Sequence, residues 1–144
     1  MRRLIDSCRA QMLPLSVYGR SMEPTYRDGS LIWGTGQSSQ LSRGDVVILR
    51  VPEASRRRDI KRVIGVPGES VAWNGQGRMW IDGGLLEEPY ARFGTAVPGD
   101  DDVPHIILRD DEYFVVGDHR LHSRDSRRYG AVRREQLMER VRAR

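Results

Sequence analysis

One serine and one lysine carry the first suggestion of chemistry in this chain. Ser21 lies in Gly19-Arg20-Ser21-Met22-Glu23-Pro24-Thr25, and Lys61 lies in Asp59-Ile60-Lys61-Arg62-Val63-Ile64. A serine hydroxyl is a weak nucleophile at neutral pH until a base takes its proton. An amine can be that base only when neutral, and burial disfavours an amine's charged form. Of the 24 basic residues all but one are arginine, and Lys61 is the exception. Arginine stays protonated in proteins, so Lys61 is the one basic side chain able to supply a neutral amine. A serine on a tight turn and a lysine inside an apolar run together suggest a hydrolase.

The elements that must position these residues read as short strands. The 15 glycines and 7 prolines imply many turns, which favours strands over long helices. The pattern predicts strands over residues 15–18, 30–33, 45–51, 59–66, 70–73, 79–81, 112–116 and 129–132. Pro52 ends the third of these, Arg56-Arg57-Arg58 reads as a hairpin tip, and Asp82-Gly83-Gly84 carries a hairpin signature. Residues 38–44 and 94–104 read as loops, with His105 in a loop-like region. Alternation along a strand predicts that only one face of the Lys61 strand is buried. Residues 1–13 read as a helical or irregular lead-in, and 133–144 as a helix by propensity. No repeat or low-complexity linker divides the chain. The expectation is one mostly-β domain over residues 1–144, single-layered or barrel-like, with long hairpins and little helix.

Composition narrows the class. With 144 residues the chain can bury a core without staples. Cys8 is the sole cysteine, which excludes an intrachain disulfide and a cysteine metal cluster. No run approaches the roughly 20 apolar residues of a membrane span, and Met1-Arg2-Arg3-Leu4-Ile5 lacks the apolar stretch of a signal peptide. As written, the chain is expected to be neither anchored nor exported. No cofactor and no metal are expected. The net charge of +4 raises a basic nucleic-acid-binding β-domain as a reading from another class. No stripe of aromatic residues interleaved with basic ones supports it, so no nucleic acid partner is expected.

Four ordered segments resemble the boxes of the type I signal peptidases. Ser21-Met22-Glu23-Pro24-Thr25 is similar to their nucleophile box and Arg43-Gly44-Asp45-Val46-Val47 to the next. The stretch from Lys61 to Glu69 resembles the lysine box. Gly117-Asp118-His119-Arg120, followed by Ser123-Arg124-Asp125-Ser126-Arg127 and Gly130, resembles the last, and Glu88-Pro89-Tyr90 fits the intervening hairpin. The resemblance implies a signal-peptidase-like β-barrel-type fold and a serine endopeptidase. Ser21 would be the nucleophile and Lys61 the general base. Ser123 would help orient the lysine, Asp125 and Arg127 would form a supporting pair, and Met22 and Ile60 would line a pocket for small side chains. The Ser21 N–H would be one oxyanion donor. The implied partner is a precursor protein or its signal or leader peptide, cut after an Ala-x-Ala-like site. The implied location is the extracytoplasmic face of a membrane, with possible peripheral contact to the surface; since the chain has no membrane-spanning run or signal peptide, a cytoplasmic location is the alternative.

The sequence departs from the family pattern in three places. Gly19 stands where some members have a serine, His119 stands where asparagine is usual, and the family's N-terminal transmembrane anchor is expected to be missing. The missing anchor favours a specialised soluble maturation protease for one partner protein. A self-cleaving repressor-type protease shares the chemistry, but only twenty residues precede Ser21. Plainer readings exist for each residue. Ser21 can be a turn serine, Lys61 a snorkelling surface lysine, and Asp125 with Arg127 an ordinary surface pair. His119 and His122 beside Asp118 also invite a metal or Ser-His-Asp reading. Arg56 to Arg58 can be a solvated tip, or can touch anionic lipid headgroups.

Overall fold

A computed structural model of the chain describes residues 13–36, 40–95 and 103–142. Cys8, Asp100, Asp101, Asp102 and most of the predicted lead-in and 94–104 loop lie outside these residues. The fold is mostly β, as the sequence pattern requires, and resolves into three sheets. A ribbon pairs β1 (Leu15–Ser16) with β2 (Leu31–Ile32). The five-stranded sheet is built from β3 (Val46–Val51), β4 (Ala54–Gly65), β9 (Glu112–Val116), β10 (Val132–Arg133) and β11 (Leu137–Arg140), in the order β10-β9-β4-β3-β11. The four-stranded sheet holds β5 (Ser70–Trp73), β6 (Met79–Ile81), β7 (Gly84–Leu85) and β8 (His105–Ile107), in the order β7-β6-β5-β8. A single helical turn, α1 (Ser126–Tyr129), precedes β10.

The lysine strand is central. Strand β4 pairs with β3 on one side (Val46 with Arg62, Val47 with Lys61, Ile48 with Ile60) and with β9 on the other (Arg62 with Val116, Val63 with Val115). Both faces of the sheet are covered. Ile48 and Ile60 pack with Val17, Met22, Tyr26 and Ile32. Val47, Leu49 and Val63 pack with Val115, Val132 and Leu137 on the opposite face. The expectation of one buried face is therefore overturned: Ile60, Lys61, Arg62, Val63 and Ile64 are all buried. Alternation predicts an exposed face only where a sheet has one side in water, and here each side carries its own core.

Four local expectations also need correction. Arg56 to Arg58 belong to β4 and not to a tip, because Val51 pairs with Ala54 and closes the hairpin at Pro52-Glu53. The described part of the 133–144 segment, residues 133–142, is not a helix. It runs from β10 through a 3-10 turn (Arg134–Gln136) into β11, where Leu137 pairs with Leu49. The open edge of β3 offers backbone partners and a buried site for Leu137 (3% exposed); tertiary context outweighs helix propensity there. His105 starts a strand paired with β5. Residues 129–132 are split, with Tyr129 ending α1 and Val132 starting β10. Asp125 caps that helical turn by accepting from the Arg127 N–H, a local bond that favours a helix start.

Candidate active site

The loop between β1 and β2 presents Ser21. Its base is closed by Val17 N–H to Ser30 O (2.8 Å) and Gly29 N–H to Val17 O (2.7 Å). Within it, Glu23 N–H donates to Arg20 O (3.1 Å) and Tyr26 N–H to Met22 O (2.9 Å), while Met22 and Tyr26 are buried anchors. Ser21 itself stays half-buried. Gly19 enters this turn at φ +85°, where a side chain is strained, and its N–H donates to Asp28 (2.8 Å). That conformation accounts for glycine at this position. Ser21 N–H has no partner among the described residues, which leaves a backbone donor beside the hydroxyl.

Lys61 reaches Ser21 from the middle of β4. Its Nζ donates to Ser21 Oγ at 3.1 Å and to the Ile60 carbonyl at 3.1 Å, and it lies 3.1 Å from Asp59 Oδ1. At 1% exposure it is among the largest fully buried side chains of the protein. This excludes the snorkelling surface reading. Strand geometry brings Asp59 to the same face, since residues two apart point the same way.

The segment after β9 locks the serine loop in place. The Ser21 carbonyl accepts from His119 N–H (2.9 Å). A Cβ on Gly117 would collide with the Ser123 side chain and lie 2.6 Å from the Ser21 carbonyl. Only glycine allows these two serines to flank that backbone so closely. Ser123 Oγ donates to Asp125 Oδ2 (2.6 Å), which also accepts from Gly117 N–H (3.0 Å). Arg127 grips the same carboxylate with two bonds of 2.9 Å. The pair is no ordinary surface pair, because Asp125 is 1% exposed. Burial works against its charge, but the bonds from Arg127, Ser123 and Gly117 outweigh it and hold the carboxyl below the usual carboxylate range. Lys61 Nζ has no bond to Ser123 among the described residues; the Ser123 hydroxyl is directed to Asp125.

A second buried pair ties three segments together. Arg62 donates to both oxygens of Asp118 (2.8 and 2.7 Å) and to Gly44 O (2.7 Å), with the Tyr90 ring 3.9 Å below its guanidinium. Thr25 of the serine loop donates to Asp118 at 2.5 Å. His119 is buried, with its ring 4.3 Å from that of His122. Burial first, then the charges of His122 and Arg92, lowers its pKa and keeps the ring neutral. Its Nδ1 lies 4.0 Å from Glu23 and has no hydrogen bond.

The two predicted pocket residues divide. Ile60 lines a cavity of about 250 Å³ with Leu15, Val17, Ile32, Ile48 and Asp59. Met22 is fully buried in the cluster packed behind these residues and does not line that cavity.

Similarity to known proteins identifies the family. The family described as "Signal peptidase, peptidase S26" matches residues 7–144. This chain is a type I signal peptidase family member. Signal peptidase I V of Bacillus subtilis (strain 168) is 30% identical over 142 residues, covering 90% of this chain and 83% of the relative. Signal peptidase IB of Staphylococcus aureus is 30% identical over 149 residues, covering 89% and 74%. A solved signal peptidase I from Enterococcus faecalis matches with a TM-score of 0.55 at 25% identity, covering 72% of this chain and 98% of that one. As a signal peptidase the protein is a peptide-bond hydrolase. Within that frame the sequence reading brought together Ser21, Lys61, Ser123, Asp125 and Arg127 but assigned nothing to Asp59. The i, i+2 spacing of Asp59 and Lys61 on a strand was the available signal.

Proposed function

We propose that this protein is a serine endopeptidase that cuts signal or leader peptides after small residues with a Ser21/Lys61 dyad. One observation carries the reading: a buried amine, the only lysine amine in the chain, lies 3.1 Å from the hydroxyl of a turn serine. When neutral, Lys61 takes the Ser21 proton as Oγ attacks the scissile carbonyl. The Ser21 N–H is placed to donate to the oxyanion that develops, a contribution worth roughly 3–4 kcal/mol per donor in other hydrolases. The resulting ammonium then protonates the leaving amine. Lys61, neutral again, activates the water that releases the acyl group. Asp125, held by Arg127, fixes Ser123 and Gly117 behind the nucleophile.

Substrate shape follows from the apolar cavity beside Ile60. An extended peptide directs alternate residues to one side, so the first and third residues before the cut face the protein together. Small side chains there match an Ala-x-Ala pattern. Exposed Leu15, Leu31 and Trp33 on and beside the β1–β2 ribbon support contact with a membrane surface, where precursor proteins at the extracytoplasmic face would be presented. No helix among the described residues is long and apolar enough to cross a membrane.

The test is cleavage of an Ala-x-Ala peptide by wild type and Lys61→Ala side by side in detergent. Cleavage lost in the variant, with folding intact, supports the dyad. Turnover retained in clean Lys61→Ala protein sinks it.

A further inference from the structure

A lysine that acts as a base needs a free electron pair, yet the Lys61 amine is surrounded by acceptors. An ammonium has three donors. Its neighbours are Ser21 Oγ, the Ile60 carbonyl and Asp59 Oδ1, each 3.1 Å away. The first two fit a neutral amine as well as a charged one. The carboxylate does not, because an opposite charge this close favours the ammonium. Lys61 is 1% exposed and Asp59 side chain 17%, so solvent screens the pair little.

The other groups around this pair do not cancel it. Opposite β4, strand β3 presents Val47 to Lys61 and Leu49 to Asp59, both apolar. On β4 itself Arg57 lies 3.9 Å from the other Asp59 oxygen but is 62% exposed. In the serine loop Arg20 pairs with Glu23. After β9, Asp125 is neutralised by Arg127, and Arg124 pairs with Glu53 at the β3–β4 turn. Tyr129 stays protonated, since burial and then the charges of Asp125 and Asp59 push its phenol up. Among the described residues Asp59 is the one carboxylate in contact with the Lys61 amine.

We propose that Asp59 is a positioning residue that holds Lys61 as an ammonium in the substrate-free enzyme and thereby sets the acid limit of its activity. This rests on the reading of Lys61 as the general base. Asp59 touches neither Ser21 nor the peptide bond in this scheme; it acts through Lys61. The same carboxylate accepts from Ile60 N–H at 3.1 Å, which fixes its rotamer and aims Oδ1 at the amine.

The sole lysine makes the test direct. Protein grown with lysine carbon-13 labelled at Cε shows one lysine signal, and its change with pH reports the Lys61 charge without any substrate. Wild type, Asp59→Asn and Asp59→Glu are titrated. Asparagine keeps the acceptor for Ile60 N–H and removes the charge; glutamate keeps the charge. The Asp59→Asn signal is expected to change at a pH lower by roughly one unit or more, with Asp59→Glu near wild type. Cleavage of the Ala-x-Ala peptide is expected to show its acid-side fall displaced the same way, making Asp59→Asn roughly ten-fold faster than wild type on that slope. Signals that change at the same pH in folded wild type and Asp59→Asn overturn the proposal. A displaced signal together with cleavage indifferent to Lys61→Ala leaves the ion pair standing but sinks the dyad, and with it any control of activity by Asp59.

Discussion

Lys61 Nζ and Ser21 Oγ meet at 3.1 Å although forty residues separate them, because a central strand and a loop from the neighbouring ribbon converge on one point. The strand supplies rigidity and the loop supplies access. Lys61→Arg is expected to be as inactive as Lys61→Ala. A guanidinium keeps its proton, and a site that leaves lysine 1% exposed has no room for a larger group. General-base loss corresponds to a rate loss of about 10²–10⁴-fold. Ser21→Ala removes the proposed nucleophile and is expected to fall to background. Thermal melts of all three variants check that the loss is chemical; a Lys61→Arg protein that cleaves at a tenth of the wild-type rate would contradict a neutral-amine base.

The proximity of Ser21 and Lys61 was suggested by the sequence because the chain has a single lysine and it lies among Ile60, Val63 and Ile64. The burial of both faces around it was not. That depends on two separate cores, one gathered by Val17, Met22 and Ile32 and the other by Val115, Val132 and Leu137, and long-range packing leaves no local mark. Strands 70–73, 79–81 and 112–116 were read at their observed bounds because turn residues flank them. β11 was missed because Glu135 to Arg140 suits a helix locally, and only the free edge of β3 makes it a strand. Asp59 was overlooked although its i, i+2 spacing from Lys61 on one strand was legible, because the contact between the two side chains becomes visible only once both are placed in the fold.

Acid is expected to weaken the fold through Asp125. Its carboxyl sits below the ordinary value of 3.8 in the folded protein, so the unfolded chain takes up the proton first. The stability this group contributes is fully present above the ordinary carboxylate range and is lost as pH falls through the lowered folded value. His119, with its pKa lowered from 6.5 mainly by burial, has the same sign and starts the loss at a higher pH. Urea denaturation at pH 7, 5 and 3.5 should show midpoints falling in that order. In Asp125→Asn the drop between pH 5 and 3.5 should shrink, because that variant has no carboxylate left to protonate there. An unchanged drop would mean that other carboxylates dominate.

Gly117→Ala is expected to damage the site more than the fold. The new methyl meets the Ser123 side chain and the Ser21 carbonyl, so one of the two must move. Overpacking of this kind costs about 1–3 kcal/mol. Displacing the Ser21 carbonyl also strains its bond to His119 N–H and shifts Oγ from Lys61. A displacement near 1 Å can cost on the order of 10²-fold in rate. The informative comparison is Gly117→Ala against Gly117→Ala/Ser123→Gly, because both the Cβ and the hydroxyl of Ser123 meet the new methyl. If relief of the clash at Ser123 restores rate, its side chain is the obstacle; if not, the Ser21 backbone has moved.

Removing the Asp118 carboxylate is expected to loosen fold and site together. Arg62 follows Lys61 in β4, and its guanidinium holds Asp118, which also receives Thr25 from the serine loop. One carboxylate therefore links the strand that carries Lys61, the loop that carries Ser21 and the segment that carries His119. Its side chain is 0% exposed and that of Arg62 is 10% exposed. Asp118→Ala strands a buried guanidinium, a loss of about 3–5 kcal/mol. Asp118→Asn keeps one acceptor oxygen, which in the place of Oδ2 can serve both Arg62 Nη2 and Thr25 while Arg62 Nε loses its partner, so it should destabilise less than alanine. The discriminating readout is kcat at a temperature where both variants are folded. A purely structural pair predicts kcat near wild type once folding is secured. A link that also sets the distance between Ser21 and Lys61 predicts kcat falling in the order wild type, Asp118→Asn, Asp118→Ala, with KM changed less.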